Sequence, residues 1–263
     1  SDVKITQSIA KHLGSKIKKI GEHSIKIHTS KITNSIIPSG TGEKSRTSFI
    51  FSAPLLARTG KAVVPFPGGD RLGTRPLDRL FRCFAKMNIK TQEKNNTIIF
   101  TTNKIKPATF TFSKPSHTVT ETIIMTAVLT KGTTTLNNAS HEPEIDDLIK
   151  MLNNMGAKIQ KDSTNPSKIT IYGVSSLNRT NHQIIADRNE AVTFICAALC
   201  TKGQIDILRI NPNIIHTFLD TIKRMGADVV YGKDELSVKW NKTLKSTNIE
   251  TEPEPGFMAD WQA

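Results

Sequence analysis

Apolar and polar positions along this chain follow one recurring order. A helix-like apolar stretch (Ser48 to Ala57, Thr122 to Leu129, Val192 to Leu199) runs up to a glycine (Gly60, Gly132, Gly203). A short run of β-formers comes next, as in Ala62-Val-Val64, Thr133-Thr-Thr-Leu136 and Ile205-Asp-Ile-Leu208. Then come a turn, a proline (Pro76, Pro143, Pro212), an amphipathic stretch and a closing phrase: Lys86-Met-Asn-Ile-Lys90, Asn154-Met-Gly-Ala-Lys158 or Arg224-Met-Gly-Ala-Asp228. A fourth ending, His12-Leu-Gly-Ser-Lys16, stands near the start. After each ending, alternating apolar residues predict paired strands: Ile25 and Ile27, Ile98 to Phe100, Ile169 and Ile171, and Leu236, Val238 and Trp240.

The three glycines are 72 and 71 residues apart, and a period this long marks an architecture assembled from one supersecondary unit. Proline is tolerated in the first helical turn, where its missing N–H has no intrahelical partner. Gly156 and Gly226, with Asn88 at the equivalent place, are positioned to take the left-handed cap conformation. The unit reads β-α-β-α-β-β. The predicted fold class is α/β, with apolar helices packed inside a shell of strands.

At 263 residues the chain has room for a sizeable core in one or two domains. No apolar run approaches the length of a bilayer span and nothing at the N-terminus reads as a signal peptide, so a cytoplasmic protein is expected. Cys83, Cys196 and Cys200 have no zinc spacing and cannot form an even disulfide framework; core packing is expected of them. Thirty-six basic against 23 acidic residues leave a charge of +13, which suits nucleic acid, anionic lipid or a phosphorylated small substrate. The lysines are scattered and form no single block, so a plain compositional bias fits equally well.

The copies diverge at three places. Pro67-Gly-Gly-Asp-Arg-Leu-Gly-Thr-Arg-Pro76 could hold an anion at a helix start, with Thr74 as cap and Arg71 and Arg75 as bidentate partners, or be a tight turn with solvated arginines. It is not a P-loop, because Thr74-Arg75 replaces the required Lys-Ser/Thr. In His141-Glu-Pro-Glu-Ile-Asp-Asp147 the carboxylates could hold a hard metal. The preferred reading is a helix capped by Ser140, with Glu142, Glu144 and Asp146 complementing its positive end. In Glu250 to Gln262 a Pro-Gly loop leads to Asp260, as a carboxylate presented at a helix start or a simple cap.

Pro54-Leu-Leu-Ala-Arg58, the Pro-Gly-Gly-x-x-x-Gly-x-Arg-Pro loop, Glu142-Pro-Glu-Ile145, Asp187-Arg-Asn-Glu190 and Pro255-Gly-Phe-Met-Ala-Asp-Trp-Gln262 together resemble the enolpyruvyltransferase family, in the branch acting on UDP-N-acetylglucosamine. The sister branch that makes 5-enolpyruvylshikimate 3-phosphate shares the repeat and an Arg-Pro. The resemblance implies two inside-out α/β barrel domains of three units each, with residues 1–184 forming most of the first and 185–263 beginning the second. The family's N-terminal Lys-Asn pair and C-terminal arginines have no counterpart here, which implies an internal fragment, inactive alone.

The implied reaction moves the enolpyruvyl group of phosphoenolpyruvate to the sugar 3′-hydroxyl with release of phosphate, the first committed step of peptidoglycan synthesis, without cofactor or metal. Asp260 matches the family's base and Asp70 its acid. Arg46, Arg75, Pro76, Leu77, Asp78, Leu80, Lys114, Ser116, His117, Thr118 and Arg188 match its substrate-binding positions, with Leu80 replacing a His usual near the uracil. Asp70 stands where most members carry Cys. A free Asp ionises near pH 4, so keeping it protonated at neutral pH costs about 4 kcal/mol unless burial or a second carboxylate offsets it. An enzyme with Asp70 is expected to resist fosfomycin, whose epoxide alkylates the Cys thiolate; stoichiometric covalent labelling at Asp70, read by mass spectrometry, would overturn this. The competing class is a non-catalytic basic module that binds nucleotide or nucleic acid.

Overall fold

The structure, a computed structural model, describes residues 2–66, 77–241 and 243–261. It divides into two compact units, the first Ser1–Ala139 with Leu152–Arg179 and the second Ser140–Met151 with Thr180–Ala263.

The first unit opens with α1 (Asp2–His12), the hairpin β1 (Lys16–Gly21) and β2 (Ser24–His28), and the short α2 (Ser39–Gly42). A 3-10 turn at Arg46–Phe51 runs into α3 (Ser52–Thr59), followed by β3 (Lys61–Pro65), α4 (Asp78–Lys86), β4 (Lys90–Lys94) and β5 (Thr97–Thr101). After these come β6 (Thr109–Thr111), α5 (His117–Ala127), β7 (Thr133–Asn137), the end of α6 (Pro143–Asn154), β8 (Lys158–Lys161) and β9 (Ile169–Tyr172).

Two sheets of this unit have the orders β3-β5-β4 and β6-β7-β9-β8, antiparallel except for the β6–β7 pair. Register explains their inner faces: Ala62 lies opposite Phe100 and Val64 opposite Ile98, and all four are fully buried. Against them pack α3, which touches β3 and β5, and α5, which touches α3 and β9. Helix α5 is buried nearly all round, including Thr120, Thr122 and Thr126. A buried hydroxyl needs a partner. Thr122 donates to the Thr118 carbonyl (2.6 Å), Thr126 to that of Thr122 (2.8 Å) and Thr130, just past the helix, to that of Thr126 (2.8 Å), so these three hydroxyls are satisfied by the backbone one turn before them. Helices inside and strands outside are the arrangement that the repeat predicted.

The second unit holds most of α6, then α7 (Arg188–Cys200), β10 (Gln204–Leu208), α8 (His216–Met225), β11 (Asp228–Tyr231), β12 (Glu235–Lys239) and a 3-10 turn at Ala259–Trp261. Its sheet has the order β10-β12-β11 and is antiparallel. Val192, Ile195 and Leu199 of α7 join Phe218, Leu219, Leu236, Val238, Phe257 and Trp261 in one core.

The closing phrases do what their composition predicts. Gly156 and Gly226 sit at φ 95° and 103°, and Asn88 takes the same left-handed backbone at φ 63°. Pro143 opens α6 as expected, whereas Pro212 opens a 3-10 turn and the α-helix starts only at His216. Cys83 is buried, and burial pushes its thiol up to about 11 against the pull of Lys86 and Arg82. Cys196 is half-buried, its thiol raised by burial and then by Cys200. Cys200 itself is exposed, so the core-packing expectation fails for that residue. No helix among the described residues is long and apolar enough to cross a membrane.

Candidate active site

Helix α7 begins where Asp187 caps it, the carboxylate accepting from the Asn189 and Glu190 N–H groups at 3.0 Å each. That start puts Arg188 on the first turn, where it is only 2% exposed. A buried guanidinium is tolerable only if its N–H groups are taken up by charge and hydrogen bonds. Glu144 accepts two of them in a fork, from Nε at 2.9 Å and Nη2 at 3.0 Å. Glu142 accepts from Nη2 at 3.2 Å and Glu254 from Nη1 at 2.6 Å. The Trp261 ring covers the guanidinium with its centroid 5.8 Å from Cζ. Burial alone would lower the Arg188 pKa; Glu144 and then Glu254 outweigh it and hold the group above its ordinary value.

This arrangement revises the reading of the His141–Asp147 segment. Glu142 and Glu144 are used by an arginine from a later helix, beyond any service to their own helix end. Ser140 donates its hydroxyl to Glu142 Oε1 at 3.0 Å, and Asp147 pairs with His182 Nε2 at 3.0 Å.

The segment carrying Asp260 is fixed on either side of it. Backbone bonds join Glu252 N–H to the Phe257 carbonyl (2.9 Å) and Gly256 N–H to Pro253 (2.8 Å), and Thr217 donates to the Gly256 carbonyl at 3.2 Å. A Cβ on Gly256 would stand 2.4 Å from Glu252 Cβ and 3.0 Å from the Pro253 carbonyl, so this turn admits only glycine. Phe257 and Trp261 meet edge to face at 5.6 Å, Phe218 closes the cluster at 6.0 Å from Trp261, and the indole N–H donates to Asn189 Oδ1 at 2.9 Å. Between these anchors Asp260 is exposed while its neighbour Trp261 is buried. Asn189, Glu254 and Trp261 carry no role in the sequence reading; the signals that could have pointed to them are the phrases Asp187-Arg-Asn-Glu190 and Pro255-Gly-Phe-Met-Ala-Asp-Trp-Gln262.

In the first unit, Arg46 opens the 3-10 turn that Ser45 caps by accepting from Thr47 N–H; it is half-buried and partnered. Leu77 and Asp78 stand at the start of α4 and Ser116, His117 and Thr118 at the start of α5. Arg79 donates to the Lys114 carbonyl at 3.3 Å, bringing these two helix starts together, each with the positive end of its dipole. Lys114 is exposed, and His117 Nε2 lies 3.7 Å from Glu121. The Ser116 hydroxyl makes no capping bond. Leu80, expected at the ligand surface, is 1% exposed and belongs to the core, because it lies on the inward face of α4 with Cys83 and Phe84. Asp70, Arg75 and Pro76, with Arg71 and Thr74, lie outside the described residues.

Chemically the residues fall into cations and helix starts that suit an anionic substrate, and one exposed carboxylate on a pinned turn that suits proton transfer. The family described as EPSP synthase (3-phosphoshikimate 1-carboxyvinyltransferase) matches residues 1–263. A UDP-N-acetylglucosamine 1-carboxyvinyltransferase of Wolbachia sp. subsp. Drosophila simulans is 37% identical over 99% of this chain and 63% of the relative. UDP-N-acetylglucosamine 1-carboxyvinyltransferase 2 of Carboxydothermus hydrogenoformans is 37% identical over 100% and 62%. The chain therefore spans less than two thirds of the length of these relatives. Among solved structures, the enolpyruvyl transferase NikO of Streptomyces tendae superposes with a TM-score of 0.83 at 22% identity, covering 99% of this chain and 62% of that one. An EPSP synthase of Acinetobacter baumannii gives 0.70 at 20% identity, covering 95% and 59%. At these identities the structures speak for the fold.

Proposed function

This chain belongs to the EPSP synthase family, and from that premise we propose that the whole protein transfers the enolpyruvyl group of phosphoenolpyruvate to the 3′-hydroxyl of UDP-N-acetylglucosamine. The observation that carries the choice of acceptor is the 37% identity, across 99% of this chain, to a relative named for that reaction. In this reading the hydroxyl proton passes to a base, the oxygen bonds to C2 of phosphoenolpyruvate, and C3 takes a proton from an acid. Loss of a C3 proton then restores the double bond as the C2–O bond to phosphate breaks. Asp260 is the base and Asp70 the acid. Arg46, Arg75 and Lys114 balance the phosphates and carboxylate, and Ser116, His117, Thr118, Leu77 and Asp78 line the nucleotide. Arg188, matched to a substrate position by resemblance, is buried and taken up by three glutamates and has no charge left for substrate. Residues 1–184 belong to one domain of the whole protein and 185–263 to the next. The partners are the two small substrates, not nucleic acid or a membrane, in the cytoplasm.

The test is phosphate release from phosphoenolpyruvate by the full-length protein, with UDP-N-acetylglucosamine or shikimate 3-phosphate as acceptor. Release with the sugar nucleotide alone is expected. Release with shikimate 3-phosphate alone would move the protein to the sister branch. Release with neither, together with DNA binding that weakens steeply with salt, would favour the binding module.

A further inference from the structure

Glu254 and Asp260 sit on one segment, six residues apart, and the segment is tied to α7 on both sides of Asp260, by Glu254 and by Trp261. Upstream of the Pro-Gly turn, Glu254 holds Arg188 at 2.6 Å with 13% of its side chain exposed. Downstream, Trp261 covers the same guanidinium and bonds to Asn189, the next residue of α7. One buried arginine thus grips the segment on both sides of the exposed carboxylate. Glu142 and Glu144 also bind Arg188, so its charge stays compensated without Glu254. The third carboxylate exceeds what burial of the arginine requires, and it is the one that reaches the Asp260 segment.

We propose that Glu254 is a positioning residue, a latch that sets where the Asp260 carboxylate stands by tying its segment to Arg188. The proposal rests on Asp260 being the base. Displacing a reacting group by about 1 Å can cost on the order of 10²-fold in rate, so the latch acts on turnover more than on substrate affinity.

Trp240→Phe leaves Trp261 as the sole tryptophan of this chain, so in that background its acrylamide quenching reports the segment directly. Glu254→Ala is expected to raise the quenching constant about threefold and to lower kcat of the full-length protein about tenfold or more, with KM for both substrates within about twofold. Glu254→Gln, which can still accept from Nη1, recovers part of both. Because Arg188 keeps two carboxylates, the Ala variant should remain folded, checked by an unchanged far-ultraviolet dichroism spectrum. Unchanged quenching and turnover overturn the latch. More quenching with intact turnover overturns its bearing on Asp260, and lower turnover without more quenching overturns action through the segment. Failure of the underlying reading looks different: Asp260→Asn would then turn over normally whatever Glu254 does.

Discussion

Replacing Arg188 by alanine is expected to cost the second unit about 3–5 kcal/mol, the loss typical of breaking a buried ion pair by removing one partner. The number follows from what stays behind. Glu142, Glu144 and Glu254 converge on one guanidinium, and without it three carboxylates lose the charge they share. Domains are stable by only about 5–15 kcal/mol, so the loss is a large fraction of the whole. Both tryptophans, Trp240 and Trp261, lie in the second unit, so their fluorescence in urea follows that unit alone. At a slope of about 1–3 kcal/mol per molar urea, the midpoint should fall by about 1–5 M. A fall worth less than about 1 kcal/mol would show that the cluster is incidental. A variant with Arg188→Met and glutamine at all three glutamates should recover most of the loss, since removing the charges together leaves none unpaired. In the native protein the stabilisation does not fade with pH in ordinary use. The folded-state pKa of Arg188 is raised, so its contribution is complete below the unfolded value, far above ordinary pH, and is lost only as pH climbs through the still higher folded one.

Local features of this cluster were legible and its assembly was not. Pro143 as a helix opener and the glycines of the closing phrases obey rules that act over four residues or fewer, and each is found where composition places it. The partners of Arg188 lie 44, 46 and 66 residues away in sequence, and no periodicity encodes a pairing at that range. The same limit explains Cys200 and Phe194. A mostly apolar stretch such as Val192 to Leu199 of α7 reads as buried, as its counterpart α5 is, yet Phe194 is 54% exposed because apolarity says what a helix can bury and not which neighbours it has. The strands β1 and β2 were foreseen, but not that Ile25 and Ile27 would be 41% and 55% exposed. Resemblance transfers a position and not a direction, hence Leu80 in the core of α4 where a ligand contact was expected.

Asp260→Asn is expected to lower kcat of the full-length protein by about 10²–10⁴-fold, the range for losing a positioned general base. The side chain is exposed at the turn Ala259–Trp261, and the bonds fixing that turn come from Trp261, Phe257 and Gly256 rather than from the carboxylate. Asparagine keeps the size and polarity, so the urea midpoint should stay where it is and KM for phosphoenolpyruvate should change little. A loss confined to kcat, with kcat/KM falling in step, marks an interaction made in the transition state alone. If KM rose while kcat held, Asp260 would be a substrate contact and not the base. Turnover above about a third of normal would remove it from the chemistry altogether. Stability separates this effect from that of Arg188: one substitution should destabilise a unit, while the other should silence a stable one. A pinned turn that exposes one carboxylate beside a buried indole explains both, since rigidity supplied by Trp261 and Glu254 leaves Asp260 free of structural duty.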